Sequence, residues 1–223
     1  MKKKPTNSYK NKNIINKGVV IASIMSVCSF ILVAKIAVNI DVLQPIDTHI
    51  SLLIYQLRNP FLTQIMIFFS LLGNEILFLL LCVIVFLLIW KKYYRNAFLI
   101  LITIFAGSII NLVIKETILR DRPNVSPLFH ELFHSFPSFH AMNAFIFYSL
   151  IFLLAYKMSR NKAYILLIFC TSSVIIFLVG LSRLYLGVHY LSDVIGGYLA
   201  GLGLVSGVYV IDKILRNAGK KKK

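Results

Sequence analysis

Six apolar runs govern what this chain can fold into: residues 18–38, 76–90, 97–114, 141–156, 163–181 and 194–211. A helix rises ~1.5 Å per residue, so runs of this length approach or exceed the ~30 Å hydrocarbon core of a bilayer. Hydrophobic residues make up 58% of the 223, against about 45–50% in soluble domains. The predicted fold class is therefore all-α, a six-helix integral membrane bundle. Its organisation is a basic tail over 1–17, a six-span membrane domain over 18–216 and a second basic tail over 217–223.

The first run follows a lysine-rich stretch, as a signal peptide's apolar core does. It is too long for such a core and lacks a small-residue cleavage site, so it reads as a span. Between the first two spans, Asp41 to Asn59 mixes Asp47, His49 and Arg58 with leucine and isoleucine. This segment predicts an interfacial or re-entrant amphipathic helix stopped by Pro60. Phe61 to Leu72 covers only about 18 Å as a helix and is expected not to span alone, with Gly73-Asn74 breaking it before the second span at Ile76. Cys28, Cys82 and Cys170 all lie inside apolar runs and form no disulfide framework.

The net charge of +16 would fit nucleic acid if it were spread over a groove studded with aromatics, and it is not. Three-quarters of the 24 lysines and arginines fall in residues 1–17, 91–95, 157–162 and 212–223, with only Asp212 of the eight acids. That asymmetry predicts both termini and these turns to be cytoplasmic. The charge then needs no nucleic-acid partner; the partner is the lipid bilayer. The polar loops 115–139 and 182–193 fall together on the extracytoplasmic side.

Those loops carry the chemistry. His189 and Asp193 are four apart, so on a helical turn the carboxylate can accept the Nδ1–H and leave Nε2 as nucleophile or base. Gly187 would let backbone approach a ligand closely. Lys115, Arg122 and Arg183 are fixed cations suited to phosphate oxygens. Ser138 precedes the fourth span, where a helix N-terminus offers free N–H groups to an anion, or where serine serves simply as an N-cap. Cations, two histidines, a helix-start serine and a carboxylate on one face fit phosphoryl transfer. Beyond these groups and the basic turns, only Lys35 and Glu75 are charged in or beside the spans, so a proton or ion pathway lacks its residues.

K-x6-RP at Lys115–Pro123, PSxH at Pro137–His140 and SR-x5-H-x3-D at Ser182–Asp193 together resemble the three signatures of the type 2 phosphatidic acid phosphatases. The resemblance covers residues 18–215. It implies a metal-independent membrane lipid phosphatase with no cofactor, multi-pass in the cell membrane, with an extracytoplasmic active site. By the same resemblance, His189 is the phosphoryl-accepting nucleophile, Asp193 its orienting partner, and His140 the general acid and then base. Lys115, Arg122, Ser138 and Arg183 form the phosphate cradle, with Phe139 where the family usually has glycine. Undecaprenyl diphosphate, phosphatidylglycerophosphate or phosphatidate are the substrates the family implies. Two other readings remain: a catalytically weak lipid-binding membrane protein, and a zinc protease on His130-Glu131-Leu132-Phe133-His134 (H-E-x-x-H), which needs that segment to be a helix.

Overall fold

A computed structural model describes residues 17–38, 40–129 and 131–221. Among these there are eight helices and no strand: α1 (Lys17–Val38), α2 (Ile40–Gln56), α3 (Pro60–Leu71), α4 (Glu75–Trp90), α5 (Tyr94–Ile118), α6 (Phe139–Met158), α7 (Lys162–Tyr185) and α8 (Leu191–Lys221). Six segments are long and apolar enough to cross a membrane. The tail over 1–16 lies outside the described residues, and α8 runs on through the first residues of the expected C-terminal tail.

The second span differs from the expected one. It comprises all of Pro60–Trp90, 31 residues, with turns at 72–74 joining α3 to α4. The physical reason is length: the 16 residues of α4 reach only about 24 Å, short of the ~30 Å core, so α3 must supply the rest. A break inside lipid leaves carbonyls without helical partners. Tyr148 of α6 donates its hydroxyl to the Leu72 carbonyl at 3.0 Å. Gly73 is required by close approach: a Cβ there would stand 2.6 Å from Val179 Cγ1 and 3.2 Å from His140 Cβ.

Helix α6 is the hub, packed on α5, α7 and α8, while α1 lies along α8. Its Met142, Ala144, Ile146 and Phe147 join Leu77, Ile104, Val179 and Val205 in the core. Phe98, Ile102, Phe105, Ile109 and Val113 of α5 are exposed at three- and four-residue spacings, the stripe a span turns to acyl chains. Helix α2 packs on α1, α7 and α8 and buries Asp47.

The glycine-rich sequence of α8 brings it against the start of α6. A Cβ at Gly197 would fall 2.7 Å from the Ser138 carbonyl oxygen, so Gly197→Ala forces the helices apart at the beginning of α6. Overpacking of this kind costs about 1–3 kcal/mol. The variant is expected to melt at lower temperature than the parent in detergent micelles, measured by intrinsic fluorescence.

Candidate active site

The third signature straddles a helix break. Helix α7 continues through Ser182 and Arg183 to Tyr185, rather than ending at 181, and α8 begins at Leu191. Gly187 turns the chain with φ +75, a left-handed conformation that favours glycine. The close approach expected there is to protein, not ligand: a Cβ would lie 2.5 Å from Arg58 Nη2. Arg58 Nε donates to the Tyr185 carbonyl at 2.8 Å and Nη1 to that of Ser126 at 2.6 Å, stitching the turn to the neighbouring loop.

The turn presents His189, buried, with Nδ1 3.5 Å from Asp193 Oδ2. Ser135 supplies what the sequence reading lacked: its hydroxyl donates to Asp193 Oδ2 at 2.5 Å and lies 3.4 Å from Nδ1. The Tyr190 N–H donates to the same oxygen at 2.7 Å, and Arg120 binds Oδ1. Nδ1 therefore faces acceptors, which leaves Nε2 toward the cavity, 3.4 Å from Arg122 Nη1. Burial, then the charges of Arg122, Lys115 and Arg183, holds the His189 pKa well below its ordinary value. The imidazole is neutral at pH 7, with its Nε2 lone pair available.

Lys115 lies in the last turns of α5, not in a loop. Its ammonium donates to the His134 carbonyl and to that of Ser135 at 3.3 Å. Arg122 donates from Nε to the Phe133 carbonyl at 2.8 Å and from Nη1 to that of Val188 at 2.7 Å. Both border a cavity of about 360 Å³ with Phe139, His140 and His189. An adjoining space of about 280 Å³ is bordered by Arg183, Ser70 and Glu75; His140, Asn74 and Glu131 face both. Arg183 donates to Ser70 Oγ at 2.6 Å and pairs with the Glu131 carboxylate.

Ser138 is the N-cap of α6, accepting from the Ala141 N–H at 3.4 Å, and is fully buried. Phe139 is half-buried, its ring edge-on to His140 with centroids 6.3 Å apart. His130 lies outside the described residues, but Glu131–Ser138 is irregular rather than helical, so the helical face on which a zinc motif depends is not formed. Glu131 is engaged by Arg183, and the carbonyl of His134 by Lys115. Ser135 and Arg120 were not among the expected site residues, Asp47 was expected only on an interfacial helix, and the expected break at Gly73-Asn74 falls inside one span rather than before it. Ser135 stands three residues before Ser138 and Arg120 two before Arg122, neighbours of the signatures but outside their patterns.

A family model described as the PAP2 superfamily matches residues 96–216. The chain is 34% identical over 203 residues to phosphatidylglycerophosphatase B of Bacillus subtilis, covering 88% of this chain and 98% of that protein. The crystal structure of a transmembrane PAP2 type phosphatidylglycerolphosphate phosphatase from Bacillus subtilis matches with a TM-score of 0.80 at 32% identity, covering 86% of this chain and 96% of the other. Aquifex aeolicus LpxE matches with a TM-score of 0.56 at 25% identity, covering 75% and 95%.

Hydrogen bonds to charged groups contribute about 1.5–3 kcal/mol, so Ser135→Ala, which releases one oxygen of Asp193, is expected to lower kcat by roughly tenfold to a hundredfold. KM should change little, because Ser135 reaches Asp193 rather than the cavity. Steady-state phosphate release from a lipid phosphate would measure both constants.

Proposed function

Because the chain belongs to the PAP2 superfamily, we propose that it removes the terminal phosphate of phosphatidylglycerophosphate at the extracytoplasmic face of the membrane, through a phosphohistidine on His189. The observation that carries this reading is a neutral imidazole whose Nε2 opens on a cavity lined by fixed cations and a second histidine. Nε2 attacks phosphorus in line, and the P–O bond to the lipid breaks. His140 gives its proton to the leaving oxygen and then takes one from water. The water oxygen displaces Nε2, releasing inorganic phosphate and restoring the imidazole. Lys115, Arg122 and Arg183 offset the charge on the equatorial oxygens, the task a metal ion performs in other phosphoryl-transfer enzymes.

Choice of this headgroup rests on likeness to the Bacillus subtilis phosphatidylglycerophosphatase B along nearly all of that protein's length. Sidedness rests on charge. Arg95 opens α5 and Lys115 stands 20 residues on, about 30 Å along the helix. At the Arg95 end lie Lys157, Arg216 and the Arg95–Asp212 pair, the basic side that the positive-inside rule assigns to the cytoplasm.

Purified protein is expected to release phosphate from phosphatidylglycerophosphate in preference to phosphatidate and undecaprenyl diphosphate. Chelators should leave turnover intact and vanadate should inhibit it, as a five-coordinate mimic of the transition state. His189→Ala should abolish release and His140→Ala should lower it by orders of magnitude, with His134→Ala near the parent. Parental activity in His189→Ala would overturn the mechanism.

Phe139 stands in the cavity wall beside Leu112 and Phe133, an apolar surface for the hydrocarbon part of the substrate. Phe139→Gly is expected to raise KM for long-chain substrates with kcat held, a loss of binding common to ground and transition states. A short-chain, soluble phosphate ester should show no such rise.

A further inference from the structure

Asp193 carries more positive charge than the orienting of an imidazole requires. One oxygen accepts from Ser135 and Tyr190 and faces Nδ1 of His189; the other is bound by Arg120. A guanidinium laid on this carboxylate cancels the negative charge that should favour positive charge on the ring as Nε2 bonds to phosphorus. A second carboxylate offsets it. Asp47 of α2, buried, accepts from Arg120 Nη2 at 2.8 Å and from the Ser192 N–H at 3.1 Å, and also binds the Ser192 hydroxyl. Arg120 Nη1 donates to Ser192 Oγ at 2.7 Å, and the guanidinium covers the Tyr190 ring at 4.6 Å. Asp193, Arg120 and Asp47 thus form an alternating row with one net negative charge, joining α8, the loop after α5, and α2.

We propose that Asp47 and Arg120 are positioning residues for the phosphatase reaction: Arg120 clamps Asp193 in register with His189, and Asp47 restores the single negative charge behind the nucleophile. This rests on the reading of His189 as nucleophile. His189 itself faces Arg122, Lys115 and Arg183 from the loop, α5 and α7, His140 from α6, and Asp193 from α8. With so much positive charge before the ring, the sign of the charge behind it decides how readily the ring becomes cationic. On the far side, the groups are Arg120, Asp121 and Tyr190. Despite burial, the Arg120 pKa is raised by Asp193 and Asp47, so the guanidinium stays charged throughout the working range.

Charge-altering variants separate this role from simple packing. Asp47→Asn leaves the row neutral, Arg120→Gln leaves it at two negative charges, and the double variant returns it to one. Each full-length protein is assayed in detergent micelles for phosphate release from phosphatidylglycerophosphate and phosphatidate across pH 4–9. The acid limb of kcat/KM reports protonation of His189, and substrate ionisation is common to all variants. Asp47→Asn makes a cationic ring less favourable, so its limb moves to lower pH. The shift should be about one unit, that of an elementary charge roughly 10 Å away at an effective dielectric near 20. Arg120→Gln moves it to higher pH, and the double variant restores the parental limb. In Asp47→Asn, kcat should fall about tenfold or more, the scale of losing an outer partner that orients a metal-bound histidine, with KM little changed. Limbs that coincide, or that move the same way in both single variants, would overturn the proposal. If Asp47→Asn fails to give a monodisperse, cooperatively melting protein, the upward shift in Arg120→Gln and an unmoved limb in Asp47→Glu carry the test, and their absence overturns it. A parent protein inert on both lipids would overturn the proposed function with it, whereas an active parent with coincident limbs overturns this inference alone.

Discussion

Burying cations in a membrane bundle is the constraint from which the rest of the site follows. Taking an ammonium or guanidinium out of water costs on the order of several kcal/mol unless partners replace the lost solvation. Lys115 and Arg183 are buried, and Arg120 nearly so. The connection between α5 and α6 meets much of this demand with its own backbone: the carbonyls of Phe133 and His134 receive Arg122, and those of His134 and Ser135 receive Lys115. A helix over the same residues would turn those carbonyls inward to its own N–H groups. That is why Glu131–His134 is irregular: the carbonyls of Phe133 and His134 serve the cations.

The same constraint reaches into the second span. Arg183, at the end of α7, finds the hydroxyl of Ser70 just before α3 gives way to the turns at 72–74. The break sets Gly73 against His140 and Asn74 at both cavities. An unbroken helix would keep its polar backbone to itself and carry a Cβ where His140 packs. Polar backbone at this depth is tolerated because protein lines it on the inner side.

The signatures were legible because they are short in sequence and need only the order of the spans to meet. His189 with Asp193 sits within one helical turn of chain, and Lys115, Arg122, His140 and Arg183 each stand at or beside a span end. What escaped reading depends on distance in sequence. Asp47 lies 73 residues from Arg120 and 145 from Ser192; alone, it reads as an interfacial acid on an amphipathic helix, since nothing local marks it as buried. Ser135 bonds to a residue 58 positions away. The second span was misjudged because hydropathy records the polarity of Gly73-Asn74 but not the tyrosine from α6 that lets helix geometry fail there. The C-terminal ends of the third and fifth spans shifted because α5 and α7 extend their helical backbone past Ile114 and Leu181 to present Lys115 and Arg183.

Within lipid there is little hydrophobic force to draw one span to another, since acyl chains are as apolar as leucine; close packing and buried hydrogen bonds decide which helices meet. Here the bonds that hold the side chains of the candidate site also fix the helices. The Ser138 N–H, at the start of α6, donates to the Asp193 carbonyl in the first turn of α8 at 3.0 Å, beneath the contact that Gly197 opens. The side chain of Asp193 then takes Ser135 and Arg120, and Arg120 takes Asp47 from α2. Separating α6 from α8 would strand the Asp193 carboxylate and expose Ser138's N–H together. Fold and site therefore depend on one set of contacts, so alignment of His189 is as durable as the packing of the two helices that frame it.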